Sequence, residues 1–159
     1  MKALVAFFSA SGITKEVAQK IAEIAESQIY EIVPQEPYSK ADLDWTNEQS
    51  RTSIEMRDKS SRPKIANPID IGNCEIIFVG FPIWWYTAPH IINTFLESRD
   101  FSGKIIIPFC TSGGSELGNA PKDMQRSAPN AIFKQGRLMH FGESKASLKK
   151  WLDSLGLEV

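Results

Sequence analysis

The segment that decides the fold reads ALVAFFSASGIT from residue 3 to residue 14. Its first six residues form an unbroken apolar run, which is typical of a strand that helices cover on both faces. The run stops at Ser9, and from Thr14 to Ala25 the apolar residues recur every three or four positions, as on one face of a helix. A buried strand followed at once by a helix predicts an α/β protein with a parallel sheet.

The alternation of strands and helices continues to the end of the chain. Further strands are predicted at Gln28–Val33, Glu75–Phe81, Lys104–Cys110 and Ala131–Phe133, and further helices at Ala88–Ser98, Asn119–Ser127 and Ser144–Leu155. The polar stretch 38–68 is interpreted as carrying a helix that Asp42 caps and that runs toward Met56 or Lys59. In such a sheet, ligands bind beyond the carboxyl ends of the strands, so the functional residues are expected in the loops that follow strands.

Length and composition limit the possible partners. The chain has 159 residues, which suits one domain over 1–159, and its 18 Lys and Arg nearly balance its 19 Asp and Glu. Neither a nucleic acid nor a membrane is expected as a partner, because there is no basic excess and the longest apolar runs are only of strand length. We expect a cytoplasmic protein. The two cysteines, Cys74 and Cys110, have no metal-binding spacing and are interpreted as buried core residues.

The loop after the first strand has the composition of an anion site. Ser9, Ser11 and Thr14 bring three hydroxyl groups to a predicted helix N-terminus, and Gly12 permits a close approach. Unpaired amides and the helix dipole favour a phosphate there. Walker and GxGxxG phosphate motifs are both absent after this strand. The alternative is that Ser11 or Thr14 only caps the helix.

Two later loops hold the other candidate residues. The first places three adjacent aromatic residues after a strand, and it comprises Pro82, Ile83, Trp84, Trp85 and Tyr86. These rings could stack on a planar ligand, although one or two of them could instead fill the core or a dimer interface. The second is rich in glycine and contributes Thr111, Ser112, Gly113, Gly114 and Gly118, whose backbone could approach a ligand or could merely form a turn. Convergence of three loops on one site favours a ligand.

These motifs carry a resemblance to a known family. Residues 9–14 resemble the FMN-phosphate loop of flavodoxins, whose pattern is Thr/Ser-x-Thr/Ser-Gly-x-Thr. PIWW at 82–85, TFL at 94–96 and TSGGS at 111–115 are similar to the small bacterial flavodoxin-like proteins rather than to the acidic ferredoxin substitutes. The resemblance implies a three-layer αβα sandwich with a five-stranded parallel sheet in order 2-1-3-4-5. Receivers and low-molecular-weight tyrosine phosphatases share related architectures, but their acidic, cysteine and arginine signatures are missing.

The resemblance also assigns roles. It implies FMN as the cofactor, with its phosphate on Ser9, Ser11, Gly12, Ile13 and Thr14. Its ring would lie between the aromatic loop, Pro82, Ile83, Trp84, Trp85 and Tyr86, and the glycine loop, Thr111, Ser112, Gly113, Gly114 and Gly118. No catalytic side chain and no metal are expected, because the flavin supplies the reactive atom.

The sequence departs from a dedicated electron carrier in two ways. Carriers are typically very acidic, whereas the formal charge here is −1. In carriers a glycine-containing turn stabilises the one-electron-reduced flavin, whereas residues 84–87 lack glycine and are expected to resist a positive φ. We therefore expect two-electron chemistry with NAD(P)H and quinone-like acceptors, as a monomer or homodimer. A one-electron carrier with a redox protein partner and a non-enzymatic protein that has lost FMN remain alternatives.

Three more residues lie near the predicted site. His90 could approach the ring, but a position on the helix surface is preferred. Cys110 is expected in the core close to the flavin. Trp45 could belong to a lid formed by residues 38–68, with a plain surface helix as the preferred alternative.

Overall fold

The computed structural model describes residues 2–112, 116–140 and 142–157. The strands are β1 (Ala3–Phe7), β2 (Gln28–Glu31), β3 (Ile76–Pro82), β4 (Ile105–Thr111), β5 (Ile132–Phe133) and β6 (Arg137–Met139). The helices are α1 (Ile13–Ala25), α2 (Arg51–Arg57), α3 (His90–Glu97), α4 (Ala120–Ser127) and α5 (Lys145–Ser154). Most predicted bounds lie within one or two residues of these, which is the usual variation at element ends.

The sheet is parallel and has the predicted order β2-β1-β3-β4-β5. Alternate residues of β1 belong to different cores, because successive side chains of a strand point to opposite faces. Leu4 and Ala6 lie in the core with α3 and α4, whereas Val5 and Phe7 lie in the core with α1 and α5. The molecule is therefore the predicted three-layer αβα sandwich.

The fifth position of the sheet is filled by two short strands rather than one. β5 pairs with Ile105 and Ile106, and β6 pairs with Phe109 to Thr111, so both lie on the same side of β4. The interruption falls opposite Pro108, which has no backbone N–H to donate to a neighbouring strand. A Cβ at Gly136 would collide with the Pro108 carbonyl, so the backbone passes closely at this point. The sequence predicts β5 but gives no sign of β6.

The predicted helix from Asp42 is wrong. α2 begins only at Arg51, and its N-cap is Ser50, whose Oγ accepts a hydrogen bond from the Ser53 amide. The Asp42 carboxylate instead accepts a bond from the Ser39 amide at 2.9 Å. In the segment before α2, the side chains of Asp44 and Asn47 accept similar local bonds from the amides of Thr46 and Gln49. These bonds hold the segment in turns. Short polar side chains compete with helix formation in this way.

Among the described residues, no helix has the length and apolar character needed to cross a membrane.

Candidate functional site

The loops after β1, β3 and β4 meet at one edge of the sheet. The hydroxyl oxygens of Thr14 and Thr111 are 2.7 Å apart in a buried hydrogen bond, although the two residues are 97 positions apart. The Ile83 amide donates to the Thr111 carbonyl at 3.1 Å. Thr111 therefore connects the loop after β1 to the aromatic loop.

The loop after β1 presents neutral hydrogen-bond donors to solvent. Gly12 caps α1 with φ 93°, in the left-handed region that favours glycine. The Ser9 hydroxyl accepts bonds from the amides of Gly12 and Lys15 at 3.0 and 3.3 Å. Ser11 is exposed, and the amides of the first turn have no carbonyl partner within the helix. The adjacent Lys15 lies 3.5 Å from Glu31, so the loop itself offers a dipole and neutral donors.

Residues 84–87 form a tight turn that contradicts the expectation from sequence. The amides of Trp84 and Thr87 each donate to the other residue's carbonyl, at 3.0 and 3.1 Å. Trp85 and Tyr86 have φ of 49° and 63°, so both central residues are left-handed without glycine. Positive φ at both positions is the property of type I′ turns. The prediction that the absence of glycine keeps this turn from positive φ is wrong.

Contacts around the turn hold it in this strained conformation. The Thr87 hydroxyl donates to Asp123 at 2.6 Å, and the Asn119 amide donates to the Tyr86 carbonyl at 2.8 Å. Gly118 has φ 57°, and a Cβ there would collide with the same Tyr86 carbonyl. A left-handed non-glycine residue costs about 1–3 kcal/mol in conformational free energy. Such residues persist where several surrounding contacts hold the backbone, often at functional sites.

The three aromatic residues have different environments. Trp84 is half-buried and packs edge-on against Phe8 and Tyr38, with ring centroids 5.5 and 5.4 Å away. Trp85 and Tyr86 are 44% and 69% exposed. Trp84 therefore supports the site from the core side, whereas Trp85 and Tyr86 are available to a ligand. Pro82 and Ile83 are half-buried at the end of β3.

A polar cluster that the sequence analysis missed supports Trp84. The Tyr38 hydroxyl donates to Glu55 at 2.5 Å, and the Arg51 guanidinium lies 3.8 Å from the centre of the Tyr38 ring. Arg51 also donates to Glu55 at 2.9 Å. Burial, followed by the bond to Glu55, raises the pKa of Tyr38 far above its usual value, so the phenol stays protonated. No local spacing indicates this cluster, because Tyr38 lies 13 positions before Arg51.

Residues 38–68 also form one wall of an open cavity beside the aromatic turn. Its volume is about 360 Å³, and it lies among Leu43, Trp45, Thr52 and the aromatic loop. Trp45 is 73% exposed, so its ring forms a rim rather than part of the core. The region is mostly turns, and the surface helix of the preferred alternative is present only as α2 (Arg51–Arg57), which does not include Trp45.

The glycine loop is described only in part. Thr111 is buried and Ser112 is half-buried, whereas Gly113 and Gly114 lie outside the described residues. Gly118 lies directly against the aromatic turn. The structure therefore brings the described residues of all three predicted loops to one edge.

Two titratable residues near this edge are buried. His90 begins α3 with 9% of its surface exposed, and its Nδ1 lies 2.6 Å from the Ser61 hydroxyl, so the preferred surface position is wrong. Burial lowers the pKa of His90 below 6.5. Cys110 is fully buried, and burial raises the pKa of its thiol to about 12, so it is a core residue and no nucleophile at neutral pH. Among the described residues, no group of three or more His, Cys, Asp and Glu could hold a metal ion.

Comparison with known proteins agrees with this geometry. A family model described as flavodoxin matches residues 2–155. A solved protein from Bacteroides eggerthii, provisionally named a flavoprotein, is 42% identical with a TM-score of 0.93 over 99% of both chains. Another, from Bacteroides uniformis and named in the same way, is 46% identical with a TM-score of 0.91 over 96% of this chain and 97% of that one.

A more distant structure shares the fold. A flavoprotein from Lactobacillus acidophilus, solved in complex with FMN, is 21% identical with a TM-score of 0.69 over 98% of this chain and 99% of that one. No protein with curated annotation matches the chain. Together with the sheet order and the three converging loops, the match of the family model over residues 2–155 shows that this chain belongs to the flavodoxin family.

Proposed function

We propose that the protein binds FMN non-covalently and uses it as an NAD(P)H-dependent oxidoreductase. The observation that carries the proposal is the direct bonding between the three loops, above all the Thr14–Thr111 hydrogen bond of 2.7 Å. The phosphate would lie on the loop of Ser9, Ser11, Gly12, Ile13 and Thr14. The ring would lie against Trp85 and Tyr86, with Thr111 and Ser112 on its other side and Gly118 directly against the aromatic turn.

The loop after β1 fits a phosphate monoester. A Cβ at Gly12 would have nothing within 4 Å, so open space lies above the helix N-terminus. The same loop offers the exposed Ser11 hydroxyl and first-turn amides, and such neutral donors bind phosphate well. Bound FMN would supply the hydride chemistry, while the chain orients it and excludes water from one ring face.

The cavity beside the aromatic turn supports a small-molecule acceptor. Its volume of about 360 Å³ lies in the range of ligand sites, and Trp45, Trp85 and Tyr86 offer flat apolar surfaces to a quinone. The formal charge of −1 gives little steering toward a basic protein partner. The two cysteines are unpaired and buried, which fits the reducing cytoplasm.

A ligand comparison tests the flavin site. Ser11→Ala removes an exposed hydroxyl and should weaken FMN binding about tenfold, as the loss of one charge-assisted hydrogen bond does. Riboflavin lacks the phosphate, so its affinity should be the same for both proteins. Titration of flavin-free protein, followed by flavin fluorescence, measures both. If the wild type retains no FMN, the proposal fails and the non-enzymatic alternative stands.

A one-electron carrier remains a second candidate because of the positive φ at Trp85 and Tyr86. Because this turn reaches positive φ without glycine, the sequence argument against a carrier no longer holds. Photoreduction of the FMN-loaded protein distinguishes the two. Direct conversion to the fully reduced spectrum, together with quinone-dependent NADPH oxidation, is expected for the oxidoreductase. A long-lived one-electron spectrum without NADPH oxidation would favour the carrier.

A further inference from the structure

A second cavity lies between α3, α4 and the end of α2, and we name it the α3–α4 cavity. Its volume is about 450 Å³. The lining includes Lys59, Trp85, His90, Asn119 and Lys122. Trp85 lines both this cavity and the cavity beside the aromatic turn, so the two adjoin at that residue. Among the described residues, Trp85 is the one predicted flavin contact that lines this cavity.

The α3–α4 cavity has an excess of positive charge. Among the described residues that line it are four cations, Lys59, Arg62, Lys122 and Arg126, and two carboxylates, Glu97 and Asp123. With His90 neutral, the lining carries a formal charge of +2, although the whole chain carries −1.

Both carboxylates are already bonded. Glu97 accepts from Arg62 at 2.9 Å and from Ser127 at 2.7 Å. Asp123 accepts from Thr87 at 2.6 Å and from Arg126 at 3.3 Å. Among the described residues, Lys59 and Lys122 have no ion-pair partner. These two lysines are therefore available to an anionic ligand, and lysine is a common phosphate-binding residue.

His90 adds a hydrogen-bond acceptor. The single hydroxyl proton of Ser61 goes to the Glu55 carbonyl at 2.8 Å, because a carbonyl can only accept. His90 Nδ1 must then donate its own proton to the Ser61 oxygen at 2.6 Å. Because burial keeps the ring neutral at pH 7, Nε2 is left unprotonated. No buried side-chain nitrogen or oxygen lacks a hydrogen-bond partner among the described residues, so the unpaired Nε2 has exposed surface. His90 lines the cavity, which gives this acceptor a route to a ligand there.

We propose that the α3–α4 cavity binds the sugar-phosphate part of a nucleotide. Lys59 and Lys122 would bind the phosphates, and a sugar hydroxyl would donate to His90 Nε2. Trp85 provides an aromatic surface for a base. A free diphosphate would use the lysines but has neither a sugar hydroxyl for His90 nor a base for Trp85, so the nucleotide fits better. The cavity would then hold part of the NAD(P)H that the proposed oxidoreductase uses, and to that extent this proposal rests on the proposed function.

Titration of flavin-free protein with ADP tests the proposal without any redox step. Calorimetry should show binding that weakens about tenfold in Lys59→Gln and again in Lys122→Gln, as expected for the loss of one charge-assisted hydrogen bond each. Lys150→Gln makes the same charge change on α5, outside the cavity, and should leave the affinity unchanged. No binding by the wild type, or equal affinity in all four proteins, would overturn the proposal.

Amide and indole NMR signals locate the binding. ADP should shift the signals of Trp85 and Asn119, and pyrophosphate should bind more weakly than ADP. Shifts confined to residues 9–14 would overturn the proposal, because ADP would then occupy the loop after β1. Equal affinity for pyrophosphate would exclude the nucleotide. A separate titration with FMN is followed at the amide signal of Gly12. Failure of the flavin site and failure of this cavity therefore give different results.

Discussion

Gly118→Ala should destabilise the protein far more than alanine at another left-handed glycine. Any L-residue at φ 57° costs about 1 kcal/mol. A Cβ at this position would also collide with the Tyr86 carbonyl, which the Asn119 amide binds at 2.8 Å. Moving that carbonyl costs about 1 kcal/mol for the hydrogen bond and at least about 1 kcal/mol for overpacking. We expect a total loss of about 3 kcal/mol in the free energy of unfolding.

Gly103→Ala is the matched control. Gly103 has φ 76°, but a Cβ there would have no neighbour within 4 Å, so only the backbone cost of about 1 kcal/mol applies. Urea unfolding followed by tryptophan fluorescence measures both variants. FMN affinity should fall in Gly118→Ala alone, because only that change displaces the aromatic turn. Equal destabilisation by the two substitutions would refute the reasoning that the backbone of Gly118 positions the turn.

Three further predictions concern strained and buried groups. Tyr86→Gly should have a free energy of unfolding about 0.5–1 kcal/mol higher than Tyr86→Ala in urea denaturation, because glycine relieves the left-handed strain at φ 63°; the reverse order would contradict that strain. Burial lowers the pKa of His90, so the unfolded chain binds the proton first as the pH falls through 6.5, and the free energy of unfolding should decrease between pH 7.5 and 5.5. His90→Gln should show a smaller decrease over that range, and an unchanged decrease would exclude His90 as its source. Burial raises the pKa of Cys110 to about 12, so iodoacetamide at pH 8 should label it only in unfolded protein, as detected by mass spectrometry; rapid labelling of the native protein would contradict its burial.

The sequence predicted the features that depend on local pattern. The apolar run of β1, the hydroxyl-rich loop 9–14 and the amphipathic helix after it are contiguous, and together they indicate a βα unit and its anion-binding end. The meeting of the three candidate loops at one edge followed from the same pattern, since parallel strands end at one edge of the sheet. The segment 38–68 was predicted poorly, because its turns are held by single side-chain bonds such as Ser39–Asp42 rather than by a repeating pattern.

By itself, then, the sequence determined the α/β class, the strand order through its resemblance, and the edge of the sheet at which the three candidate loops meet. Only the tertiary structure decided the conformation of the aromatic turn, where contacts with Gly118 and Asn119 hold Trp85 and Tyr86 at positive φ against their intrinsic preference. It also decided which ring nitrogen of His90 carries the proton, which depends on Ser61, 29 positions away. Such contacts join residues that no periodicity relates, and their energies exceed the local preferences that a sequence pattern reports.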